Sequence, residues 1–212
     1  MPSQDIAGRI AHDLKATLSP IRTSAYVLRQ GKQVPDATHR ELVEIIERQT
    51  VRLARMIDEV VDWQRALAGT LVSRNAPHEV AILMDLVSGA LSNPPVVIWP
   101  QGEVPAVAGD RPRLEQMLVA LIDYCAHRDP AAPPRVEVTS TESHVRFCIA
   151  DRGPPADLNT LFNAPLHGAP DAGLGLGLIL ARAIAQAHHG ELHAHEGNSG
   201  GVRFECVLPL AI

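Results

Sequence analysis

Residues 5–68 carry an apolar period that only a helix satisfies, and they carry it twice. In the first arm Ile6, Ile10, Leu14, Leu18, Ile21, Ala25 and Leu28 recur at steps of four and three, one seam along a helix. The stretch GKQVPDATH (31–39), with Gly, Pro and Asp, reads as a turn. The second arm resumes the seam with Leu42, Ile45, Ile46, Gln49, Leu53, Met56, Val60 and Leu67, and its wet side takes Glu41, Glu44, Glu47 and Arg48. Two arms alone cannot bury so wide a stripe. Association with a second copy into a four-helix bundle does so, and a homodimer is expected; packing of the seam on the rest of the same chain is the alternative.

After about residue 70 the pattern changes. The segments 78–92, 111–129 and 176–190 read as helices, with Pro112 tolerated in a first helical turn. The segments 94–100 and 104–110 read as short strands, 134–153 as two strands around a polar turn, and 191–210 as a hairpin. Helices mixed with hairpin-linked strands indicate an α+β fold: an antiparallel helical hairpin over 1–69, then an α/β sandwich over 70–212 with helices on one face of its sheet.

Composition narrows the function classes. The net charge of −5 provides no basic face for nucleic acid. No apolar run reaches the length of about 18 residues that suggests a membrane span, and MPSQDIAGRI lacks the basic start and apolar core of a secretory signal. Cys125, Cys148 and Cys206 each sit in an apolar run and read as buried free thiols, which places the chain in the cytoplasm. With aromatics at 3%, the core falls to Leu, Val, Ile and Ala, and Trp63 and Trp99 read as core or interface residues. The loop 128–135 is rich in Pro and Ala. The pair His193 and His195 shares a strand face and has the spacing of a zinc pair, but no cysteine or carboxylate cluster completes a set.

His12, in IAHDLKATLSP, lies about 200° around the helix from Leu14 and so faces away from the seam. Ala16, Ser19 and Thr23 fall close to its direction, a small polar stripe that lets a partner approach one imidazole closely. Pro20 lacks an amide hydrogen and crowds the carbonyl of Ala16, so a bend is expected there. Asp13 can accept a hydrogen bond from one ring nitrogen and make the other more nucleophilic.

IAHDLKATLSPIR resembles the H-box of two-component sensor histidine kinases, roughly (S/A)-H-(E/D)-L-(R/K)-T-P-L, with Ala11, His12, Asp13, Leu14, Lys15 and Leu18 matching. The resemblance implies a dimerisation and phosphotransfer hairpin, His12 as phospho-acceptor and Asp13 as the acid that orients or deprotonates it. Ala16 and Thr17 depart from the usual Thr-Pro; the family's phosphatase activity positions water with a Thr or Asn at the place of Ala16, which argues against that activity.

Two glycine boxes extend the resemblance. ADRGPP (150–155) is similar to the family's D-x-G-x-G, with Pro155 at the second glycine; it implies that Asp151 receives the adenine amino group and that Gly153 passes close to the base. GLGLGL (173–178) alternates Gly173, Gly175 and Gly177 with Leu174, Leu176 and Leu178 and runs into a helix. Amides there can approach phosphate oxygens, and the helix start favours anions. DLNTLF (157–162) resembles the F-box through Phe162, with a short lid before Gly173. The implied fold is a GHKL-type ATP-binding domain.

The helix 113–130 stands where the family has its N-box, approximately N-L-L-x-N-A-x-K-Y. Ala120 and Tyr124 replace the asparagines, His127 the lysine and Arg128 the tyrosine. The second asparagine of the family holds Mg2+, for which a neutral phenol is a poor ligand; Glu115 and Asp123 are the nearest carboxylates. Three readings follow from this: a kinase using ATP with Mg2+ held by other ligands, a nucleotide-binding pseudokinase, and a histidine phosphotransferase relaying phosphate without ATP. The implied partners are a response-regulator receiver domain and, since no sensor, membrane or receiver segment is evident, a separate sensor or hybrid kinase or the rest of a longer chain.

Overall fold

The first apolar arm folds as α1 (Ser3–Arg29) and the second as α2 (Asp36–Leu67). The computed structural model describes residues 3–30, 35–166, 173–197 and 200–211; the Ile6 side chain, turn residues 31–34 and the lid over 167–172 lie outside the described parts. Its compact units are Met1–Trp63 with Pro165–Leu176, and Gln64–Ala164 with Gly177–Ile212.

The expected turn over 31–39 is shorter at its far end. Asp36 to His39 already form the first turn of α2, with the Asp36 carboxylate at the positive end of the helix. Within the hairpin the most buried positions are Thr17, Ser24 and Met56, and the Thr17 hydroxyl donates to the Met56 sulfur at 3.4 Å. Leu18 and Leu67, both expected in the seam, are 40% and 72% exposed. One hairpin covers only the strip where its two helices meet, so the apolar side beyond that strip is uncovered. α1 runs on through Pro20.

In the second unit, β4 (Arg135–Ser140), β5 (His144–Ala150) and β7 (Val202–Pro209) alternate as half-buried strands must. Val136, Val138, Val145, Phe147, Ile149, Phe204, Cys206 and Leu208 form the inner face. With β2 (Val96–Ile98) and β6 (Glu191–Glu196) they make a sheet of order β2-β4-β5-β7-β6, antiparallel except for the β2–β4 pair. The helices α3 (Val80–Ala90), α4 (Arg111–Arg128) and α5 (Gly177–Ala187) bury Leu83, Met84, Leu118, Leu121, Ile184 and their neighbours.

A strand missing from the sequence reading, β1 (Ala76–His78), pairs with β3 (Val107–Gly109), so the first helix of this unit begins at Val80 rather than 78. The His78 ring lies 3.1 Å from the Gly109 carbonyl. Trp99 is 42% exposed, and Cys148 is only half-buried because odd positions of β5 and even positions of β7 face inward while Cys148 faces out. Among the described residues no helix is long and apolar enough to cross a membrane.

Asp110 ties this unit together at the start of α4. Its carboxylate accepts from the Ser73 amide, the Ser73 hydroxyl and the Arg74 amide, and its own amide donates to His188 Nε2 at 2.9 Å.

Candidate functional site

On α1 His12 is exposed, as are Ala16, Ser19 and Thr23, so the small polar stripe exists as a surface. Asp13 is half-buried and lies 3.9 Å from Arg9, one turn back. Among the described contacts none joins the Asp13 carboxylate to the His12 ring, because consecutive helical positions diverge by about 100°. The next position on the inner side, Thr17, donates its hydroxyl to the Asp13 carbonyl at 3.0 Å as well as meeting Met56. The register of α1 against α2 is thereby pinned one turn past the histidine, leaving the imidazole free to meet another molecule.

The glycine loop ends at the first turn of α5. Gly175 has φ +76°, and a Cβ there would overlap the Leu166 carbonyl; the Leu166 amide donates to the Gly175 carbonyl at 3.0 Å. A residue with a side chain is thus excluded on both counts. This conformation turns the amides of Leu174 and Leu176 toward one point, and Glu59 of α2 occupies that point. Its Oε2 accepts from Leu174 at 3.0 Å and from Leu176 at 3.1 Å. Burial raises the Glu59 pKa from its ordinary value, while the two amides and the Arg55 charge pull part of the way back.

Asp151 closes β5 in the second unit. Its Oδ1 accepts from the amides of Gly153 at 2.8 Å and Val202 at 3.3 Å, and its Oδ2 accepts from Arg128 Nε at 3.0 Å. Arg128 also donates to the Pro154 carbonyl and lies 5.5 Å from the centre of the Tyr124 ring. Burial would lower the Arg128 pKa, but the hydrogen bond and charge of Asp151 outweigh it and the net shift is upward. A Cβ at Gly201 would overlap both the carbonyl and the carboxylate of Asp151.

The substituted N-box lies on α4. Ala120 faces α5, 3.7 Å from where a Cβ on Gly177 would stand. Tyr124 packs edge-on to Phe204 with ring centres 5.6 Å apart, and burial raises its phenol pKa. His127 is exposed and sits 3.4 Å from the Asp123 carboxylate, while Glu115 is 3.3 Å from Arg111. Glu115 and Asp123 are two turns apart, about 12 Å along the axis, so one cation cannot be held by both. Leu178 is buried in the first turn of α5. Phe162 lies against Phe204, and the Arg182 guanidinium sits over its ring at 5.4 Å.

The histidine pair of β6 is held by carboxylates: His193 lies 3.1 Å from Glu191, and His195 4.0 Å from Glu205. Among the described residues no group of three or more His, Cys, Asp or Glu side chains is arranged to hold a metal ion. The Cys206 thiol is pushed up to about 12 by burial, and burial raises Cys125 further, so neither is a nucleophile.

Glu59 and the Arg128–Asp151 pair were missed in the sequence reading. Glu59 has no local signal, being one acid among several on α2. Arg128 was visible as a charged residue where the resemblance expects an aromatic one, and an unpaired arginine beside a buried sheet calls for an acid.

Comparison with known proteins gives two family matches. The His Kinase A (phospho-acceptor) domain matches residues 3–69, and the histidine kinase-, DNA gyrase B- and HSP90-like ATPase family matches residues 109–212. Among curated relatives, the adaptive-response sensory kinase SasA of a Synechococcus strain is 25% identical over 97% of this chain and 59% of its own length. The signal transduction histidine-protein kinase AtoS of Escherichia coli is 23% identical over 97% of this chain and 34% of its own. This chain thus spans between about a third and three-fifths of those relatives. Among solved structures, the Acinetobacter baumannii histidine kinase AdeS superposes with a TM-score of 0.73 at 18% identity, over 95% of this chain and 98% of that one. Full-length ShkA in complex with AMPPNP gives 0.68 at 19% identity, over 100% of this chain and 46% of that one.

Proposed function

The chain belongs to the two-component histidine kinases, carrying their catalytic core, and from that premise we propose that it moves the γ-phosphoryl group of ATP to His12 and on to an aspartate of a response-regulator receiver domain. The observation that carries this reading is the exposed imidazole of His12 on a stripe of small residues, inside the segment that matches a phospho-acceptor domain. A lone pair of one ring nitrogen attacks the γ-phosphorus, the bond to the bridging oxygen breaks, and ADP leaves with the electrons. The proton on the other ring nitrogen passes to water, or to Asp13 once its carboxylate swings from Arg9 toward the ring. The phosphoryl group then transfers to the receiver carboxylate and the imidazole is restored.

The nucleotide end rests on Asp151 and Gly153 for the base, and on the loop through Gly173, Gly175, Leu176, Gly177 and Leu178 for the phosphates. Amides that already bind a carboxylate fit a phosphate oxygen. The N-box does not fit Mg2+ in the same way: Ala120 has no donor, Tyr124 is an un-ionised phenol, and Glu115 and Asp123 are too far apart to share an ion.

The hairpin and the ATP-binding domain divide at 69/70 in this reading. Leu18, Ile57 and Val61, exposed at 40%, 50% and 38%, support a homodimer in which a second hairpin covers them. Three free thiols and a need for ATP favour the cytoplasm. The signal reaches this core from a sensor, on the same polypeptide or on a separate or hybrid kinase.

Incubation with γ-labelled ATP and Mg2+ beside a His12→Ala control tests the assignment. Acid-labile label on the native chain alone is the expected result. Nucleotide binding without label indicates a pseudokinase, and phosphate accepted only from a phosphorylated receiver indicates a phosphotransferase. Label retained by His12→Ala overturns the assignment of the histidine.

A further inference from the structure

The amides of Leu174 and Leu176 form an anion cradle, and in this structure a side chain of the same protein fills it. One oxygen of Glu59 takes both hydrogen bonds, at 3.0 and 3.1 Å, on a carboxylate drawn from α2 across a sequence distance of over a hundred residues. The other oxygen occupies the space that a Cβ at Gly173 would need, so the glycine is what admits the carboxylate this close. A half-buried acid that satisfies two convergent amides is an internal stand-in for a phosphate oxygen: the same charge sign, the same acceptor chemistry, the same donors. Two anions cannot share those donors, because the second meets the repulsion of the first at hydrogen-bond distance in a partly desolvated place.

We propose that Glu59 is an autoinhibitory latch: it holds the glycine loop by its phosphate-binding amides and must leave before a nucleotide's phosphates can enter. This rests on the reading of the 173–177 loop as the phosphate site. The latch makes nucleotide affinity depend on the state of α2. Any rotation or displacement of α2 that withdraws Glu59 frees the cradle, so a signal arriving through the hairpin can be converted into access for ATP without altering a residue of the loop. Conversely, bound nucleotide displaces Glu59 and biases α2, as linkage requires.

The experiment compares the full chain with Glu59→Ala and with Glu59→Gln, which keeps the side-chain volume but loses the charge. ADP and a non-hydrolysable ATP analogue are titrated by calorimetry, and the amide resonances of Leu174 and Leu176 are followed by NMR in the nucleotide-free protein. For a loop latched about nine-tenths of the time, release strengthens apparent affinity about tenfold in Glu59→Ala, with a smaller gain in Glu59→Gln. The two amides shift and exchange faster with solvent in both variants. Unchanged or weaker nucleotide affinity, with the amides visibly released, overturns the latch while leaving the nucleotide reading intact. Absence of nucleotide binding by all three proteins overturns the nucleotide reading and the latch with it. Amides that do not respond to Glu59→Ala overturn the contact itself.

Discussion

Arg128 donates from Nε to Asp151 Oδ2 at 3.0 Å, in a pair whose side chains are only 14% and 1% exposed. With Gly153 and Val202 on the other oxygen, the carboxylate that the family resemblance assigns to adenine is already satisfied by protein donors and covered by an arginine.

Breaking that pair from one side leaves a charge buried without its partner. Arg128→Ala is expected to lower unfolding stability by about 3 kcal/mol, read from urea midpoints. Arg128→Tyr, which restores the aromatic residue of the family pattern, loses the same ion pair but uncovers Asp151 Oδ2. Adenine nucleotides should bind it more tightly than the native chain, and equal or weaker binding counts against Arg128 as the cover of the base acid.

His188 supplies a pH dependence of known sign. Its ring is buried, lies 2.8 Å from the Ile184 carbonyl through Nδ1 and accepts the Asp110 amide on Nε2. Burial depresses its pKa, helped by the nearby His189, while the Ile184 carbonyl and Asp110 oppose the shift. The folded chain therefore binds fewer protons than the unfolded one below the ordinary imidazole value of about 6.5, and stability falls as pH drops through that value. Urea midpoints at pH 7.5 and 5.5 should differ more for the native chain than for His188→Gln. Equal differences would remove His188 as the source.

Gly175→Ala puts a Cβ on a residue at φ +76° and against the Leu166 carbonyl. A cost of about 1–2 kcal/mol for the left-handed backbone falls on the loop rather than on the sheet. Nucleotide binding should be lost while the main thermal transition moves by only a few degrees; native-like affinity in this variant would show that the loop's shape is not needed.

The uncovered side of the hairpin predicts its own assay. Ile57→Asp and Val61→Asp place charges on residues that are half exposed in one chain, so folding of the single hairpin should survive. Light scattering should report a dimer for the native chain and a monomer for the double variant. A native monomer, or a double variant that still dimerises, would argue against this face as the interface.

The parts legible from sequence are those governed by local period. The two arms of the hairpin, the alternation of β4, β5 and β7, and the helix through Pro112 follow from spacing alone, because each side chain's direction is set within a turn or a pleat. The stripe around His12 was legible for the same reason. Glu59 was not, since its partner is a backbone amide more than a hundred positions away and nothing in ARMIDEVV distinguishes it from a solvated acid. Nor was β1, whose APH begins with small and ring-locked residues and gains its strand character only from pairing with β3. Cys148 was placed inside because its neighbours are apolar, whereas its parity along β5 sends it outward.

The overlap that a side chain at Gly201 would make with Asp151 ties two distant positions together. Because the clash includes the Asp151 backbone carbonyl as well as its carboxylate, a descendant that discards the acid is still held to the glycine. Gly201 thus records how closely two stretches of backbone cross before β7, whatever side chain stands at position 151.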